Sequence, residues 1–428
     1  MNDVPSSSAT TPERVAIIGL GYVGLPIALA TVDAGHSVVG VEVDPSRFAS
    51  LQRGESYVED ISDAALGAAF ATGRFSVANS IADLEWFDIA VIAVPTPLRE
   101  GAPDLAFVVD ATRELGALLR PGNCVVLEST TYPGTTENLM VPLLEEVSGL
   151  KAGADFQAGF SPERIDPGNM TFTFASTPKV VSGIDEESGR RIAAFYGSIV
   201  ERVVPVSTPS VAEMAKLLEN TYRHVNIALI NELAIFSYEM GIDIWEVIDA
   251  AASKPFGFQK FTPGPGVGGH CLPIDPSYLS WQVRRQLGYA FRFVELANDI
   301  NEHMPDHVVR RVQLILNDRG RSVKGSRLLL LGMAYKKNSS DARESPAMRV
   351  ADLLAELGAD LRIVDPLVSD GARCAGLRVE LNEDEVSAAD LVVVLTDHDE
   401  FDWDLVLARS AQIFDTRNRL RGDNVQRL

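Results

Sequence analysis

Three glycines at the end of a predicted strand constrain this chain more than any other feature. Residues 15–18 form a short apolar run typical of a buried strand, and Gly19-Leu-Gly21-Tyr-Val-Gly24 follows directly. A helical pattern then extends to about Ala34, and a second strand pattern over residues 37–41 ends at Glu42. The first glycine permits the tight turn, the second lets a pyrophosphate lie on the backbone, and the third lets helix and strand pack closely. The pattern predicts a β-α-β dinucleotide-binding unit.

The acidic residue at the tip of the second strand indicates which dinucleotide binds. Glu42 can accept hydrogen bonds from both adenosine ribose hydroxyls, which favours NAD over NADP. Arg47, a little further on, either contacts the ribose or adenine or is an ordinary surface arginine. The candidate cofactor-binding residues of this unit are Gly19, Gly21, Tyr22, Val23, Gly24, Glu42 and Arg47.

Polar turns follow two further strand patterns, residues 87–94 and 124–128. Ligands bind at the carboxyl ends of parallel strands in doubly wound sheets, so Thr96 and Thr130 are candidate site residues. The alternative is that they cap the following helix, which is the role expected for Thr131. Cys124 lies within its strand pattern and is expected to pack in the core.

A third strand pattern, residues 156–160, leads into a loop with two carboxylates. Glu163 and Asp166 lie in this loop, and either could act as a general base at the sheet edge. The alternative is a charged loop in which Arg164 is the local partner. Residues 180–183 and 203–206 are expected to be the last strands of this domain.

Residues 211–240 contain no glycine or proline and predict one helix of about 45 Å. A helix this long exceeds one domain, so we expect it to link two lobes and to support a dimer interface. Lys216, Asn220 and Arg223 share one face of it. They form either a solvated stripe or, for Lys216 and Asn220, a pair that grips a reacting oxygen.

Six glycines and prolines between Pro263 and Gly269 predict a loop with an open backbone ahead of Cys271. Cys271 could be an exposed nucleophile if nearby charge lowers its pKa, or a small buried cysteine in a structural turn. His270 is expected to be structural and not a metal ligand. Helices are predicted over residues 244–252, 276–287 and 291–317, and Pro305 could break the last.

From residue 324 the β-α-β pattern returns without its glycine triad. Strands are predicted at 327–332, 361–364, 391–395 and 412–414, with a helix over 345–357. Lys336 and Lys337 follow the first of these strands, and Arg417 follows the last. Such a basic loop suits a phosphate or a sugar better than a second NAD. The alternative is a degenerate duplicate that binds nothing.

Composition bounds the function classes. The 428 residues suggest two or three domains, and 38 basic against 59 acidic residues give a formal charge of −21. That charge argues against nucleic-acid or anionic-membrane binding. We expect no membrane span and no metal site. Residues 1–12 are expected to form a short flexible tail instead of a signal peptide. Three scattered cysteines lead us to expect a cytoplasmic protein.

Taken together, seven separated motifs resemble the UDP-glucose/GDP-mannose dehydrogenase family over nearly the whole chain. The resemblance implies an α/β fold with two Rossmann-like doubly wound domains joined by a central helical domain with one long helix. The expected domains are an NAD-binding domain at 13–206, a central domain for dimerisation and the cysteine loop at 207–320, and a UDP-sugar-binding domain at 321–428. The motifs are Gly19-x-Gly21-x-x-Gly24, Ser129-Thr130, Ser161-Pro-Glu163, Glu213-x-x-Lys216-x-x-x-Asn220, Gly268-Gly-His-Cys271-x-x-x-Asp275, Lys336-Lys337 and Asp341-x-Arg343-Glu344-Ser345.

The resemblance also implies a reaction, the oxidation of a sugar C6 alcohol to a carboxylate with two NAD⁺. Cys271 resembles the nucleophile that forms a thiohemiacetal and then a thioester. Lys216 and Asn220 would hold the C6 oxygen, with Asp275 assisting. The further roles implied are Glu163 as the base for thioester hydrolysis, Thr130 at the nicotinamide end, Thr96 and Arg343 as NAD contacts, and Glu163, Arg164, Lys216, Asn220, Lys254, Gly268, Lys336, Lys337 and Arg417 as contacts of the UDP-sugar.

One departure from the family pattern concerns the substrate. UDP-glucose enzymes usually carry a second glutamate four residues after the first, and here position 167 is proline. Asp166-Pro-Gly-Asn169 is instead similar to members that act on UDP-N-acetylhexosamines, and Lys254-Pro-Phe-Gly-Phe258 is similar to those that oxidise UDP-N-acetylglucosamine for polysaccharide biosynthesis.

The expected function is therefore oxidation of UDP-N-acetylglucosamine by a homodimer or higher homo-oligomer. The alternatives are the same chemistry on UDP-N-acetylmannosamine or UDP-glucose, a two-electron hydroxyacid dehydrogenase, and a catalytically silent protein that binds NAD and a nucleotide sugar.

Overall fold

The computed structural model describes residues 12–428 except residues 59, 100, 166–171, 270, 370 and 372, and the side chains of Cys271 and Pro273. The described chain forms two compact units, one ending at Glu219 and one running from Asn220 to Leu428. The predicted tail lies almost entirely outside the described residues, as do Asp166, Pro167 and His270.

Eight strands of the first unit form one sheet in the order β10-β9-β8-β7-β4-β1-β2-β3. Neighbouring strands are parallel except β8 and β9, which are antiparallel. The strands of this unit are β1 (Arg14–Ile18), β2 (Ser37–Val41), β3 (Phe75–Ala78), β4 (Ile89–Ile92), the short hairpin β5 (Leu98–Arg99) and β6 (Ala102–Pro103), β7 (Cys124–Leu127), β8 (Gln157–Phe160), β9 (Lys179–Gly183) and β10 (Val203–Pro205).

Helices cover both faces of this sheet, as the apolar strands require. Val15 and Ile17 of β1 pack in one core with α1 and α6, while the alternate residues Ala16 and Ile18 pack in a second core with α4 and α5. The helices are α1 (Gly24–Asp33), α2 (Pro45–Gln52), α3 (Asp63–Ala71), α4 (Ala106–Leu118), α5 (Val141–Ser148) and α6 (Glu186–Ile199), with a 3₁₀ turn at Ile81–Asp83 and a π-helical turn at Thr136–Met140.

The predicted long helix is present as α7 (Pro209–Glu239), and the boundary between the units falls within it. At its first-unit end, the buried Glu213 carboxylate accepts from the backbone N–H groups of Gly134 at 2.5 Å and Thr136 at 2.9 Å. After it come α8 (Ile244–Ala252), α9 (Cys271–Leu287) and α10 (Arg292–Asp318).

Two prolines lie inside helices, so one predicted helix start was wrong and one possible break is not present. Helix α9 begins at Cys271 and not at Pro276, so the cysteine opens a helix. Helix α10 continues through Pro305 without a break. Proline lacks an N–H, so the Asn301 carbonyl loses its helical partner, and this oxygen faces Gly266, whose lack of a side chain leaves room for it.

A second sheet, entirely parallel, has the order β13-β12-β11-β14-β15-β16. Leu328 and Leu330 of β11 pack against α10 and α11, and Leu329 and Leu331 pack on the opposite face. The elements are β11 (Arg327–Leu331), α11 (Pro346–Glu356), β12 (Asp360–Val364), β13 (Leu377–Arg378), α12 (Glu383–Ala388), β14 (Leu391–Val394), α13 (Trp403–Arg409), β15 (Ile413–Asp415) and β16 (Val425–Arg427).

In this second β-α-β unit a carboxylate holds the turn after the first strand. Asp365, directly after β12, accepts from the N–H groups of Met333 and Ala334 in the turn after β11, at 2.5 and 3.1 Å. His398 lies 3.2 Å from the same carboxylate. These two N–H groups are therefore satisfied within the protein itself. No described helix combines the length and the apolar character needed to cross a bilayer.

Candidate active site

The three glycines after β1 are required for two different reasons. Gly19 has φ +91°, and a Cβ there would lie 2.6 Å from the Ala93 carbonyl oxygen. A Cβ on Gly24 would overlap the Gly19 carbonyl oxygen. At Gly21, in contrast, a Cβ would meet no protein atom within 4 Å. Packing therefore explains the outer glycines, whereas Gly21 leaves the backbone open to a ligand.

Helix α1 starts at this turn with its N-terminus available. Its N-cap residue Val23 makes no side-chain cap hydrogen bond, so no side chain takes the first N–H groups in that way. Tyr22 and Val23 are half-buried beside the turn. This arrangement fits the pyrophosphate of a dinucleotide, which is bound at such helix N-termini.

Glu42 lies at the carboxyl end of β2, as predicted, and a tyrosine joins it. The Glu42 side chain is only 5% exposed; it accepts from the Asp44 N–H at 3.0 Å and from the Tyr57 hydroxyl at 3.3 Å. The Arg47 guanidinium lies over the Tyr57 ring at 5.3 Å. Burial first, and then the Glu42 carboxylate, raise the pKa of Tyr57. Arg47 is thus fixed near the acid that would hold the adenosine ribose.

The ends of β4 and β7 meet at the same sheet edge. The Ser129 hydroxyl donates to the Val94 carbonyl at 2.8 Å, Thr96 is buried and Thr130 is half-buried. The capping role predicted for Thr131 was wrong. Its hydroxyl is buried and has no hydrogen-bond partner among the described residues, because the helix that follows starts too far along the chain.

Glu163 lies at the end of β8 in a buried ion cluster. Its Oε1 accepts from the N–H groups of Arg164 and Ile165, both at 2.6 Å, and its Oε2 accepts from Lys179 Nζ at 3.0 Å. Lys179 also contacts Glu128, whose other oxygen accepts from the Tyr196 hydroxyl at 2.6 Å. Lys179 and Glu128 are 3% and 1% exposed, so one ammonium is enclosed between two carboxylates.

The cluster separates the two carboxyl pKa values. Burial by itself would raise the pKa of Glu163, but the charge and hydrogen bond of Lys179 outweigh it, and Lys216 adds to the lowering. Burial raises the pKa of Glu128 to about 7. The positive charge of Lys179 opposes this rise, but the negative charge of Glu163 offsets part of that opposition. Glu163 is therefore ionised at neutral pH.

Arg164 is not the side-chain partner of Glu163, contrary to one of the predicted alternatives. Its guanidinium bonds to both carboxylate oxygens of Glu219 on α7, at 2.7 and 3.2 Å, and to the Pro178 carbonyl at 2.7 Å. Lys179, not Arg164, supplies the charge that Glu163 needs. Lys216 is half-buried on the same helix.

In the second unit, α7 and α9 are joined by a hydrogen bond between two predicted site residues. Asn220 Nδ2 donates to Asp275 Oδ2 at 2.5 Å, and both side chains are buried, 6% and 3% exposed. Asp275 lies one turn after Cys271, the first residue of α9. A helix N-terminus favours the thiolate form of cysteine, because the helix dipole stabilises a negative charge there.

The glycines before Cys271 are required by packing, so the prediction of an open backbone was wrong for four of them. A Cβ on Gly264 would lie 2.7 Å from the Arg417 guanidinium, and one on Gly268 or Gly269 would lie 2.8 Å from Tyr335. Gly266 packs in the same way against Pro346 and the Asn301 carbonyl. The Gly269 N–H donates to the Arg343 carbonyl at 3.2 Å. The loop is held tightly within the second unit.

Of the predicted basic residues of the second unit, Lys254 and Arg343 are exposed, whereas Lys336, Lys337 and Arg417 are half-buried. Lys337 pairs with Asp399 at 2.7 Å, and Arg343 forms a forked pair with Asp341 at 2.6–3.1 Å. Lys254 is exposed and lies 4.9 Å from the Phe256 ring centre, and Lys336 is half-buried. Arg417 donates from Nε to the Leu395 carbonyl at 2.7 Å.

Comparison with known proteins identifies the family of this chain. Three domain models of the UDP-glucose/GDP-mannose dehydrogenase family match this chain. They are the NAD binding domain at residues 13–200, the central domain at 210–303 and the UDP binding domain at 329–422. A UDP-N-acetyl-D-mannosamine dehydrogenase from Pyrococcus horikoshii is 33% identical over 95% of this chain and 96% of its own. A UDP-N-acetyl-D-glucosamine 6-dehydrogenase from Pseudomonas aeruginosa is 39% identical over 83% of each chain. The solved structure of a UDP-D-ManNAc dehydrogenase from Pyrococcus horikoshii matches with a TM-score of 0.88 and 32% identity, over 97% of this chain and 98% of the other.

This chain belongs to the UDP-glucose/GDP-mannose dehydrogenase family. The family resemblance, the fold class and the NAD cofactor predicted from the sequence are thereby confirmed. This chain is therefore an NAD-dependent nucleotide-sugar dehydrogenase, which rules out the two-electron hydroxyacid dehydrogenase and the catalytically silent protein. The open Gly21, the free start of α1 and the buried Glu42 fit the cofactor.

Sequence reasoning missed four side chains of these sites. Tyr57 lies in a region without a regular pattern, so nothing in the sequence linked it to Glu42. Lys179, Glu128 and Tyr196 lie in segments that resemble ordinary core strands and helices. The one available signal was a lysine directly next to the apolar Val180-Val181, since a lysine in a buried strand requires paired acids.

Lys179→Met should destabilise the protein strongly. The substitution preserves side-chain length but leaves Glu128 and Glu163 buried side by side without a cation, which costs about 3–5 kcal/mol. Urea unfolding of the full chain at pH 7.5 measures the loss. In the variant both carboxyls have folded pKa values above their unfolded values, so part of the stability should return as the pH is lowered.

The matched control is Lys151→Met. Lys151 pairs with Glu145 at 3.3 Å but is 72% exposed, so its loss should cost about 1 kcal/mol or less. Equal unfolding midpoints for the two variants would show that the buried cluster contributes nothing special.

Proposed function

We propose that the protein oxidises the C6 hydroxyl of UDP-N-acetylglucosamine to the uronic acid, with two NAD⁺ reduced per sugar. The observation that carries the proposal is the start of α9. Cys271 opens this helix, and Asp275, one turn later, is bonded to Asn220 of α7. A two-electron dehydrogenase has no need of a cysteine in this place.

The N-acetylglucosamine assignment is supported by sequence and by a relative. Lys254-Pro-Phe-Gly-Phe258 is similar to enzymes for this substrate, and the 39% identical relative from Pseudomonas aeruginosa carries that activity in its name. UDP-N-acetylmannosamine is the second candidate, because the Pyrococcus horikoshii relative named for it matches over 95% of the chain.

Turnover of three substrates tests the assignment. NADH production is measured side by side with UDP-N-acetylglucosamine, UDP-N-acetylmannosamine and UDP-glucose on the same preparation. We expect the highest kcat/KM with UDP-N-acetylglucosamine. A higher value with the manno epimer would transfer the proposal to that sugar, and a preference for UDP-glucose would overturn the interpretation of Pro167.

In the first oxidation the chain's own residues orient the alcohol and remove its proton. Bound NAD⁺ supplies the hydride acceptor for both oxidations. Lys216 and Asn220 hold the C6 oxygen, and the hydroxyl proton leaves through a water held by Asp275 as the C6 hydride departs. The product of this step is the aldehyde.

In the second oxidation the Cys271 thiolate adds to C6. A C–S bond forms and the carbonyl oxygen becomes an oxyanion, which the ammonium of Lys216 and the amide of Asn220 stabilise. Loss of a second hydride from this thiohemiacetal gives a thioester. The covalent step is useful because it gives the hydride transfer a tetrahedral donor in place of a bare aldehyde.

Hydrolysis completes the reaction. Water attacks the thioester carbonyl, Glu163 takes one of its protons, and the C–S bond breaks to release the thiolate and the carboxylic acid, which loses its remaining proton to solvent. A base must be ionised before it can act, and Lys179 provides for this by holding the pKa of Glu163 below its usual range against the effect of burial. Thr130 and Arg343 are assigned to NAD, and Lys336, Lys337, Lys254 and Arg417 to the UDP-sugar.

Cys271→Ser should abolish acid formation. A serine hydroxyl is a far weaker nucleophile at neutral pH, so the rate of uronic acid production should fall by on the order of 10³-fold or more. Acid is quantified by ion-exchange chromatography. Cys374→Ser, at a half-buried cysteine outside the proposed machinery, should retain full activity. Normal acid formation by the Cys271 variant would remove the cysteine from the mechanism.

We also propose that the protein is a homodimer through α7. Five large apolar side chains on this helix recur at intervals of three, four or seven residues and are 40–63% exposed, namely Leu218, Tyr222, Leu229, Leu233 and Phe236. A continuous apolar stripe on a helix is expected to be covered. Sedimentation velocity should give twice the 46.3 kDa chain mass, and Leu229→Arg should yield monomer; a wild-type monomer would exclude the interface.

The described cysteines Cys124 and Cys374 are free, which suits a reducing compartment, and we assign the protein to the cytoplasm. Cell fractionation with activity in the membrane or secreted fraction would contradict this.

A further inference from the structure

Buried amides link the loop before Cys271 to two helices of the second unit. The backbone N–H of Gly264 donates to Asn231 Oδ1 at 3.0 Å. Asn231 Nδ2 then donates to Asn301 Oδ1 at 2.9 Å, which joins α7 to α10. Asn231 and Asn301 are 0% and 4% exposed. Such amides are retained in a core only where their hydrogen bonds are satisfied.

The hydrogen bonds continue through a histidine to α9. Asn301 Nδ2 lies 3.4 Å from His224 Nδ1, and His224 Nε2 lies 2.7 Å from Asn298 Oδ1. Asn298 Nδ2 points to the Ser277 hydroxyl at 3.5 Å. His224 is 2% exposed. The interactions therefore form one chain from the loop to α9.

The Gly264 N–H determines which groups donate and which accept along the whole series of hydrogen bonds. A backbone N–H can only donate, so Asn231 must present its oxygen to Gly264 and its NH₂ to Asn301. Asn301 must then present its NH₂ to His224, where it donates one proton to the backbone carbonyl and the other to Nδ1, both 3.4 Å from Nδ2. His224 Nδ1 is consequently an acceptor, and the proton is on Nε2, where it is donated to Asn298. The chain specifies a neutral His224 in the Nε2–H tautomer.

The surroundings of the ring agree with that charge state. Burial, opposed by the hydrogen bond to Asn298, lowers the pKa of His224 below its usual 6.5. Its side-chain hydrogen-bond partners from α10 are the uncharged Asn298 and Asn301, and no charged side chain of the described residues bonds to the ring. A protonated ring would direct Nδ1–H at the Asn301 NH₂, and two donors would oppose each other.

The two ends of the chain lie on either side of Cys271. Gly264 belongs to the Gly/Pro loop that precedes the cysteine, and Ser277 lies on α9, which the cysteine opens. The bond between Asn220 and Asp275 fixes the same turn of α9 to α7. Both flanks of the nucleophile are thus attached to the α7–α10 pair.

We propose that Asn231, Asn301 and His224 are positioning residues for Cys271, acting as a one-way hydrogen-bond chain that holds its two flanks in one geometry and operates only while His224 is neutral. The inference rests on the role proposed above for Cys271. None of the three residues touches the reacting atoms.

Asn231→Asp tests the direction of the chain. One carboxylate oxygen still accepts from Gly264, but the other must also accept, so Asn301 has to turn its NH₂ toward it and its oxygen toward His224. The ring must then carry a proton on Nδ1. We expect the ¹⁵N spectrum of His224, assigned with His224→Gln, to change from the Nε2–H form to the Nδ1–H or doubly protonated form.

The same variant tests the positioning role. The kcat for acid formation should fall by about 10- to 100-fold, as expected when reacting groups are displaced, while KM for NAD stays within about twofold. Asn317→Asp is the matched control, because it makes the same chemical change at an exposed position on α10. It should alter neither the tautomer nor kcat.

Asn301→Asp provides the second variant if Asn231→Asp does not fold. Both of its carboxylate oxygens accept, so it should hold His224 as a cation and raise its pKa by about one unit or more. An unchanged tautomer and pKa would overturn the one-way chain, and a changed tautomer with normal kcat would overturn the positioning role.

Failure of the proposed function is distinguishable from both results. It would appear as acid formation by Cys271→Ser, while the tautomer of His224 still changes in Asn231→Asp.

Discussion

One lysine enclosed by two carboxylates fixes the carboxyl edge of the first sheet. Lys179 begins β9, Glu128 directly follows β7 and Glu163 follows β8, so the cluster joins the ends of three neighbouring strands. Removing Lys179 would leave two buried carboxylates without a cation. The cluster also sets the charge state of Glu163. The ion pairs that the buried lysine needs for folding therefore also keep Glu163 ionised.

In the second unit, buried polar groups are likewise paired with one another, and most of these groups are uncharged. Asn231, Asn301 and His224 satisfy one another in a core where none could be left unpaired, and Asp365 satisfies two backbone N–H groups at the turn after β11. The consequence differs in each place. The amide chain holds a loop, whereas Asp365 holds the turn after β11. The two Rossmann-like halves share a strand order, but the family models assign NAD to the first and UDP to the second.

Much of the fold could be predicted from the sequence, because strands and helices carry their own periodicity. Helix α8 agrees residue for residue with its prediction, and β2 and most other strands agree to within two residues. The strands β3, β5, β6, β13 and β16 were not predicted, and the other errors occur at prolines and glycines. Pro276 and Pro305 suggested a helix start and a break, yet both lie inside helices, where packing outweighs the lost hydrogen bond.

The site was less accessible to sequence reasoning. Motifs located Gly21, Glu42 and Glu163 correctly at strand ends, since strand order alone brings those positions to one edge, and they located Asn220 correctly on α7. They could not show that Gly264 and Gly268 are required by Arg417 and Tyr335, or that Lys179 is buried. Contacts between residues far apart in sequence have no local signal in a single chain. For the same reason the link between Asn231 and His224 became visible only in three dimensions.

The central claim is that a cysteine on α9 turns one dehydrogenation into two. The most direct test is the number of NADH molecules formed per UDP-N-acetylglucosamine consumed, measured to completion on the purified full chain with excess NAD⁺. The account predicts two. A value of one, with the aldehyde as the product, would contradict it.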